Sequence, residues 1–339
     1  LTTFSHVPLF RDKVSNNAKN RFSDETDYIL ATAGFHTNIN PILLNSDYIS
    51  PITGIKTFLE VNEEMIHGAS NAYWMVDIFK SASEAGFGAI LSGENGNGAW
   101  SNAGLTYLLP FTHPFYLHHP KRLIRKLVDP IYTRFKNNGN DAGYAENFLQ
   151  NSFVNNHILE KYDILEYNSQ NNRGLGSNKF NSAKHAMLNL IELARFGRCA
   201  NGGNVSNYFN IEMRDPTADV RLLEYCLSIP NEVFISDKGV KRNVVRQTMS
   251  GIMSPKTLNE KRIGLQSADI LFRLLKHSEE VDETLVTLSK NSAFCYMYDI
   301  DRILHFWEHL KSSQSGSTIQ VHSLTRAIMT SLFFDRNGF

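Results

Sequence analysis

The residues with most chemical content lie together in Leu91-Ser92-Gly93-Glu94-Asn95-Gly96-Asn97-Gly98-Ala99-Trp100-Ser101-Asn102-Ala103-Gly104. Glu94 is a carboxylate inside a glycine-rich loop, where a shaped environment can tune it to accept or donate a proton. Gly93, Gly96 and Gly98 have no Cβ, so backbone N–H groups there can approach a ligand closely. On spacing alone, a tight turn carrying a solvated Glu94 explains the pattern equally well. The remaining candidates are thinner. His305 and His309 stand at i, i+4 within His-Phe-Trp-Glu-His, and His113, His118 and His119 cluster near Pro114 and Pro120. Both groups could hold a metal, but a helix face and a histidine-bearing surface loop are the simpler readings. Lys121–Lys126 reads as a solvated basic helix face, with a phosphate or leader-peptide contact as the sharper option. Asn204-Val205-Ser206 fits a glycosylation sequon by chance. Asp24 and Glu25 are expected to cap a helix.

The elements around the loop follow from periodicity. Residues 1–7 are strand-like, and Ser23-Asp24-Glu25-Thr26 opens a helix through Tyr28, Ile29, Ala31 and Ala33. Residues 71–85 form a second helix with Ala72, Met75, Val76, Ile78 and Phe79 as its apolar stripe. Gly86-Phe87-Gly88 breaks it, and Ala89-Ile90-Leu91 is a short apolar run that suits a buried parallel strand. Helix, break, strand and glycine loop is the order of an open α/β sheet, which binds ligands beyond the carboxyl ends of its strands. From about Pro110 the chain turns to helices and polar loops. Helices are expected over 118–136, over 182–198 with Met187, Leu188, Leu190, Ile191 and Leu193 apolar, and along Leu222, Leu223, Cys226 and Leu227 up to Pro230. Further helices follow over 240–249, 303–310 and 324–334, and Asn/Gly-rich loops over 137–140 and 170–179. No internal repeat or heptad pattern occurs. The reading is an α/β part at 1–109 and a mainly helical part at 110–339.

Of 339 residues, 34 are Lys or Arg and 34 Asp or Glu, a formal charge of zero. Such balance gives no electrostatic footprint for nucleic acid or an anionic membrane. No run reaches the ~18 apolar residues of a membrane span. Three distant cysteines, Cys199, Cys226 and Cys295, argue against a disulfide framework and for a reducing cytoplasm. The chain opens on Leu1 inside a strand-like run, as a piece of a longer protein would.

Leu-Ser-Gly-Glu followed by glycines resembles the "L-S-G-E-G-x-D-E" loop of the asparagine synthase family. Arg214-Asp215-Pro216-Thr217-Ala218-Asp219-Val220-Arg221-Leu222-Leu223-Glu224 is similar to that family's "R-x-P-x-x-D-x-R-x-x-E" segment. Pro230, Gly239, Arg242, Arg246 and Pro255 follow at matching spacing, so the resemblance covers most of the chain up to about Ser312. It implies an adenine nucleotide alpha hydrolase-like ATP-pyrophosphatase fold, a doubly wound parallel sheet that binds ATP and Mg²⁺. It also implies a carbon–nitrogen ligase that activates a carboxylate as acyl-AMP for attack by an amine or ammonia. By position, Ser92 and Gly93 match the residues lining the nucleotide, and Glu94 the acidic residue that handles the amine's proton. His6 falls where the family contacts adenine through its backbone.

The sequence departs from the pattern in three places. The "S-G-G-x-D-S" pyrophosphate loop is absent and is expected upstream of Leu1, as is the glutaminase domain that supplies ammonia. Asn97 stands at the position of the Mg²⁺-binding Asp, so no metal ligand is assigned, a carboxamide being a poorer ligand for a hard cation. Lys261-Arg262-Ile263-Gly264 aligns with "R-x-K-G", so Ile263 replaces the family's lysine and Arg262 stands one position out of register. Gly264-Leu265-Gln266-Ser267-Ala268-Asp269, with Gly96-Asn97 and Ser101, is similar to family members that cyclise lasso peptides. The expected substrates are therefore a small-molecule or a peptide carboxylate, the latter with a leader-peptide-binding partner. The same departures also fit a β-lactam-type cyclase or an inactive nucleotide-binding relative.

Overall fold

The computed structural model describes residues 1–14, 20–66, 68–135, 148–170, 180–198 and 202–338. The expected loops at 137–140 and 171–179, with Gly174-Leu175-Gly176 and Cys199, lie outside them. Six short strands occur, β1 (Thr2–His6), β2 (Arg21–Phe22), β3 (Asn40–Leu44), β4 (Ala89–Leu91), β5 (Glu212–Arg214) and β6 (Ile263–Gly264). All pair in parallel. β1 runs beside β3 with Thr2 opposite Asn40 and His6 opposite Leu44. β2 pairs with β6, Arg21 opposite Ile263, and β4 with β5, Ala89 opposite Glu212. Strands from the chain's second part thus complete pairs begun in its first.

Among the described residues the strands form three separate two-stranded pairs, not one continuous doubly wound sheet. β1 and β4 do not bond to each other, and Phe4 and Ile90 line a common cavity. A second difference from expectation follows. β4 is not buried: Leu91 is 67% exposed, the strand having a neighbour on one edge alone among the described residues.

Between the strands run α1 (Thr26–Ala33), α2 (Pro51–Asn62) and α3 (Ala72–Glu84). α2 starts cleanly because Pro51 fills its first turn and the Ser50 hydroxyl accepts the Thr53 N–H. α3 turns Ala72, Tyr73, Val76, Phe79 and Ala82 inward. The two helices cross in near backbone contact at Gly54, where a Cβ would stand 2.4 Å from the Tyr73 nitrogen. At α1 the capping expectation is corrected in detail. Asp24 Oδ1 accepts the Thr26 N–H at 2.9 Å and the Thr26 hydroxyl at 2.5 Å, while Glu25 makes no side-chain cap.

The second part contributes α4 (Phe115–His118), α5 (Pro120–Phe135), α6 (Asn156–Lys161), α7 (Ile164–Gln170), α8 (Ala183–Arg198), α9 (Asn204–Tyr208), α10 (Val220–Ser228), α11 (Asn243–Thr248) and α12 (Pro255–Asn259). It closes with α13 (Ile270–Lys276), α14 (Ser278–Leu288), α15 (Ser292–Met297), α16 (Ile300–Ser313) and α17 (Thr318–Asn337). The main core joins both parts: Ile52, Ile55, Phe58 and Tyr73 pack with Leu274, Trp307, Leu324 and Ile328. Each such side chain contributes roughly 1.5–3 kcal/mol by leaving water. A smaller cluster of Ala99, Met187, Cys226 and Phe234 lies under the glycine loop. Leu188 and Leu190, expected inside, are exposed, because Met187 is the residue of α8 that meets this cluster. α11 starts later than the periodicity suggests. A turn at Gly239 (φ +81°) and an antiparallel bridge between Ile235 and Lys241 hold Val240 outside the helix. Among the described residues no helix is long and apolar enough to cross a membrane.

Candidate active site

The glycine loop is braced before it reaches any ligand. Ser92 N–H donates to the Arg214 carbonyl at 2.8 Å, extending the β4–β5 ladder one step. The chain then coils through a 3-10 turn at Glu94–Gly98. Asn95 N–H donates to Asp215 Oδ2 at 2.9 Å. The other Asp215 oxygen accepts the Thr217 N–H and hydroxyl at 2.9 and 2.5 Å. A loop carboxylate with three donors on it is a rigid anchor. Further on, Ser101 donates to Asn97 Oδ1 at 3.3 Å, and Asn102 Oδ1 accepts the Gly104 N–H at 2.9 Å. Ala99 is wholly inaccessible, nailing the loop's far end to the small core.

This frame sets Ser92 and Glu94 on the wall of a cavity of about 510 Å³, shared with Phe4, Trp74, Met75, Ile78, Ile90 and Gln266. The Ser92 hydroxyl oxygen is buried without a partner among the described residues, and a buried polar atom of this kind asks for one. Glu94 is exposed on the same wall. A second cavity, about 240 Å³, is lined by Phe4, Ser5, His6, Ser23, Glu25, Trp74, Gln266 and Ser267 among others. Phe4, Trp74, Ile78 and Gln266 belong to both, so the two compartments share a wall.

The His6 compartment is held by buried polar contacts. The His6 ring stacks on Trp74 (centroids 5.8 Å apart, 24° between planes) and meets Tyr73 edge-on. Burial, reinforced by the Arg273 guanidinium, pushes its pKa down to about 4, leaving a neutral aromatic wall at physiological pH. Arg273 forms an ion pair with Asp269 at 3.0 Å, the two side chains 2% and 0% exposed. Asp269 Oδ2 also accepts the Leu9 and Phe10 N–H groups at 2.7 and 3.3 Å, which fixes the turn after β1. Trp74 Nε1 donates to Ser267 Oγ at 3.2 Å, Ser267 donates to Asn71 Oδ1 at 2.8 Å, and Asn71 donates to Gln266 Oε1 at 3.0 Å.

A third cavity, about 360 Å³, meets the second at Glu25 and the loop at Ser101. Its walls include Arg242, Arg246, Glu260, Arg262, Ile263 and Gly264. Arg262 grips both Glu260 oxygens, at 3.0 and 2.7 Å, and the Tyr28 hydroxyl at 2.8 Å. These partners hold the Glu260 carboxyl far below the usual carboxylate range. Burial, then the neighbouring Asp24 charge, raises Glu25. Gly264 makes room for it, since a Cβ there would fall 1.8 Å from Glu25 Oε1.

The structure therefore brings Ser92 and Glu94, but not Gly93, to one cavity wall, sets His6 in the next, and puts Ser101 and Arg262 on the third. Asn97 Oδ1 accepts the Ser101 hydroxyl. Among the described residues no group of three or more His, Cys, Asp or Glu could hold a metal, His305 and His309 included. The donors present do not make a Mg²⁺ site by themselves. Sequence reasoning missed Trp74, named Gln266 only within the cyclase-like segment, and read Glu25 as a cap, although the first two line two cavities. Trp74 carried a signal, a large aromatic one position off the stripe of α3.

The profile of one protein family, described as asparagine synthase, matches residues 2–333. No curated protein matches the chain.

Proposed function

The chain belongs to the asparagine synthase family, and from that premise we propose that it joins a carboxylate to an amine through an acyl-adenylate. Family membership supports an ATP-dependent amidating ligase in general. The observation that carries the finer reading is the shared wall: Trp74, Gln266, Phe4 and Ile78 line both the His6 compartment and the one edged by Ser92 and Glu94.

In this reading the adenine lies against the neutral His6–Trp74 wall, and Ser92 and Gly93 line the α-phosphate. A substrate carboxylate oxygen attacks the α-phosphorus, the bond from that phosphorus to the pyrophosphate oxygen breaks, and pyrophosphate leaves. The amine nitrogen then attacks the acyl carbon, the bond to AMP breaks, and the Glu94 carboxylate takes the proton shed by nitrogen. Activation is needed because a carboxylate oxygen is a poor leaving group, and holding both partners in one cleft removes the entropy of their encounter. Mg²⁺, where the family uses it, screens phosphate charge. Its ligands would have to include the nucleotide, as is common for that ion. The three strand pairs are, in this reading, parts of one doubly wound ATP-pyrophosphatase layer, and the enzyme works in the cytoplasm with ammonia from a glutaminase domain or an amine of its own substrate.

Carboxylate-dependent exchange of labelled pyrophosphate into ATP tests the first step, and amide formation the second. Glu94→Gln should retain exchange and lose amide formation by about a hundredfold or more, the usual range for a general base. Unchanged exchange with unchanged product removes Glu94 from the mechanism. Gln266 and Ser267, at the junction of the compartments, belong to the segment shared with peptide cyclases and favour a second reading with the same chemistry. In that case a peptide product loses one water and carries no new free amide.

A further inference from the structure

The zero net charge of the whole chain hides a local imbalance. From Leu117 to Val128, Lys121, Arg122, Arg125 and Lys126 are basic and no residue is acidic. The helical period divides this part of α5 in two. Ile124, Leu127 and Val128, at i, i+3 and i+4, share one face, and the basic residues form the other as two i, i+4 pairs. Leu123, at the seam, packs on Leu109, Phe115, Tyr116 and Ile235 and fastens the helix to the body. Lys126 adds a second fastening. Its ammonium donates to the Leu109 carbonyl and lies 4.6 Å from the centroid of the Phe111 ring. The apolar stripe is left outside: Ile124 is 60% and Leu127 55% exposed, with Val128 beside them also exposed. Leu117 on α4 is 83% exposed, and Phe111 is exposed as well. Single apolar side chains at a surface are ordinary, but a run of them on one helix face marks a surface that something covers.

Charge and arrangement identify what covers it. Lys121 and Arg122 are exposed and make no hydrogen bond or ion pair with any described residue, so the surface that meets them is anionic. A second copy would bring the same cations face to face, which opposes self-association. Bare aliphatic side chains along one side of a helix and cations along the other suit the plane of an anionic bilayer, hydrocarbon inward and cations at the phosphates. We propose that α5 docks the protein reversibly on such a bilayer. Ile124, Leu127 and Val128 enter the boundary of the acyl chains, and Lys121 and Arg122 lie among the lipid phosphates. The helix rests on the surface and does not cross it, since its 16 residues fall short of the roughly 20 apolar ones that a span needs. This docking is independent of the ligase reading.

Sedimentation of the purified protein with vesicles tests it. Vesicles of an equal mixture of phosphatidylcholine and phosphatidylglycerol should carry the protein down, and vesicles of phosphatidylcholine alone should not. Added salt should weaken the binding, because it screens the cations from the surface. The double variant Ile124→Ser/Leu127→Ser should partition about tenfold or more less strongly, as two apolar side chains no longer leave water. Lys121→Gln/Arg122→Gln should lose about tenfold or more, at roughly fivefold for each basic side chain near an anionic surface. Lys290→Gln, at an exposed lysine just beyond α14, should bind like the unmodified protein. No binding of the unmodified protein to the mixed vesicles overturns the proposal, and that is the result expected if the stripe is instead the seat of an acidic protein. Equal binding by the serine variant also overturns it, since charge alone would then explain the adsorption. If either double variant does not fold, Lys121→Gln alone decides: a loss of about fivefold supports the docking, and a loss no greater than that of Lys290→Gln overturns it.

Discussion

Asp269→Ala should destabilise the protein by about 3–5 kcal/mol, the range for removing one partner of a buried ion pair. The figure follows from the surroundings. Asp269 is inaccessible and Arg273 nearly so, so alanine leaves a guanidinium without its counter-charge in a dry place. The Leu9 and Phe10 N–H groups lose their acceptor as well. Against this, Arg273 keeps the Ser46 carbonyl at 3.2 Å and that of Asn45 at 2.6 Å, which holds the loss inside the range. A domain has about 5–15 kcal/mol in total, so the variant should still fold, with a clearly lower urea midpoint. Urea unfolding followed by fluorescence of Trp74, Trp100 and Trp307 measures it, with an unchanged slope showing that compactness is preserved. The double variant Asp269→Leu/Arg273→Met removes both charges and should recover at least half the loss. A loss below about 1 kcal/mol, or a double variant no better than Asp269→Ala, refutes the claim that desolvation of Arg273 sets the cost.

Two further outcomes follow from the site. The His6 ring stays neutral in the folded chain down to about pH 4 but takes a proton near its ordinary value of 6.5 when unfolded. The unfolded state thus binds the extra proton in that window. Stability is fully present above pH 6.5 and falls by about 3 kcal/mol toward pH 4. His6→Gln should flatten that acid limb in urea midpoints taken between about pH 7 and about pH 4.5; equal slopes would exclude His6 as its source. Asp215→Ala frees the Asn95 N–H and should cost about 1–2 kcal/mol while slowing amide formation about tenfold or more. Asp215→Asn, which keeps one acceptor oxygen, should restore part of the rate; no change in either variant would show that the loop holds its shape without this anchor.

Local chemistry was legible in the sequence, and long-range closure was not. Periodicity located the stretch from α3 to β4 well: the stripe at 71–85 became α3, and Gly86-Phe87-Gly88 separated it from β4 as expected. The glycine loop could be read because glycines and a strand end are both local signals. The block at Arg214–Glu224 was visible as a motif, yet its physical use was not. Only the fold shows Asp215 reaching across to Asn95, 120 positions away. Leu91 looked buried because its type is apolar, but exposure depends on whether a second neighbour strand exists. Glu25 looked like a cap because it precedes a helix. Its neighbour Gly264 and part of the walls of the two cavities it lines come from more than 200 positions away. Arg242 and Arg246 entered the reading by their spacing after the Arg214–Glu224 block, while the carbonyls that bind Arg246 could be read from the fold alone.

The parallel pairs carry a kinetic consequence. β1 finds β3 after a short excursion, with Thr2 opposite Asn40, whereas Arg21 must find Ile263, closing a loop more than six times longer. Loop entropy grows only logarithmically, so the longer closure costs roughly 1.6 kcal/mol more. Yet contacts so distant in sequence slow the search for the native state. The two walls of the cationic cavity, Phe22 and Glu25 on one side, Ile263 and Gly264 on the other, meet when that last zipper closes. During refolding, recovery of pyrophosphate exchange activity should therefore lag behind the return of helical signal.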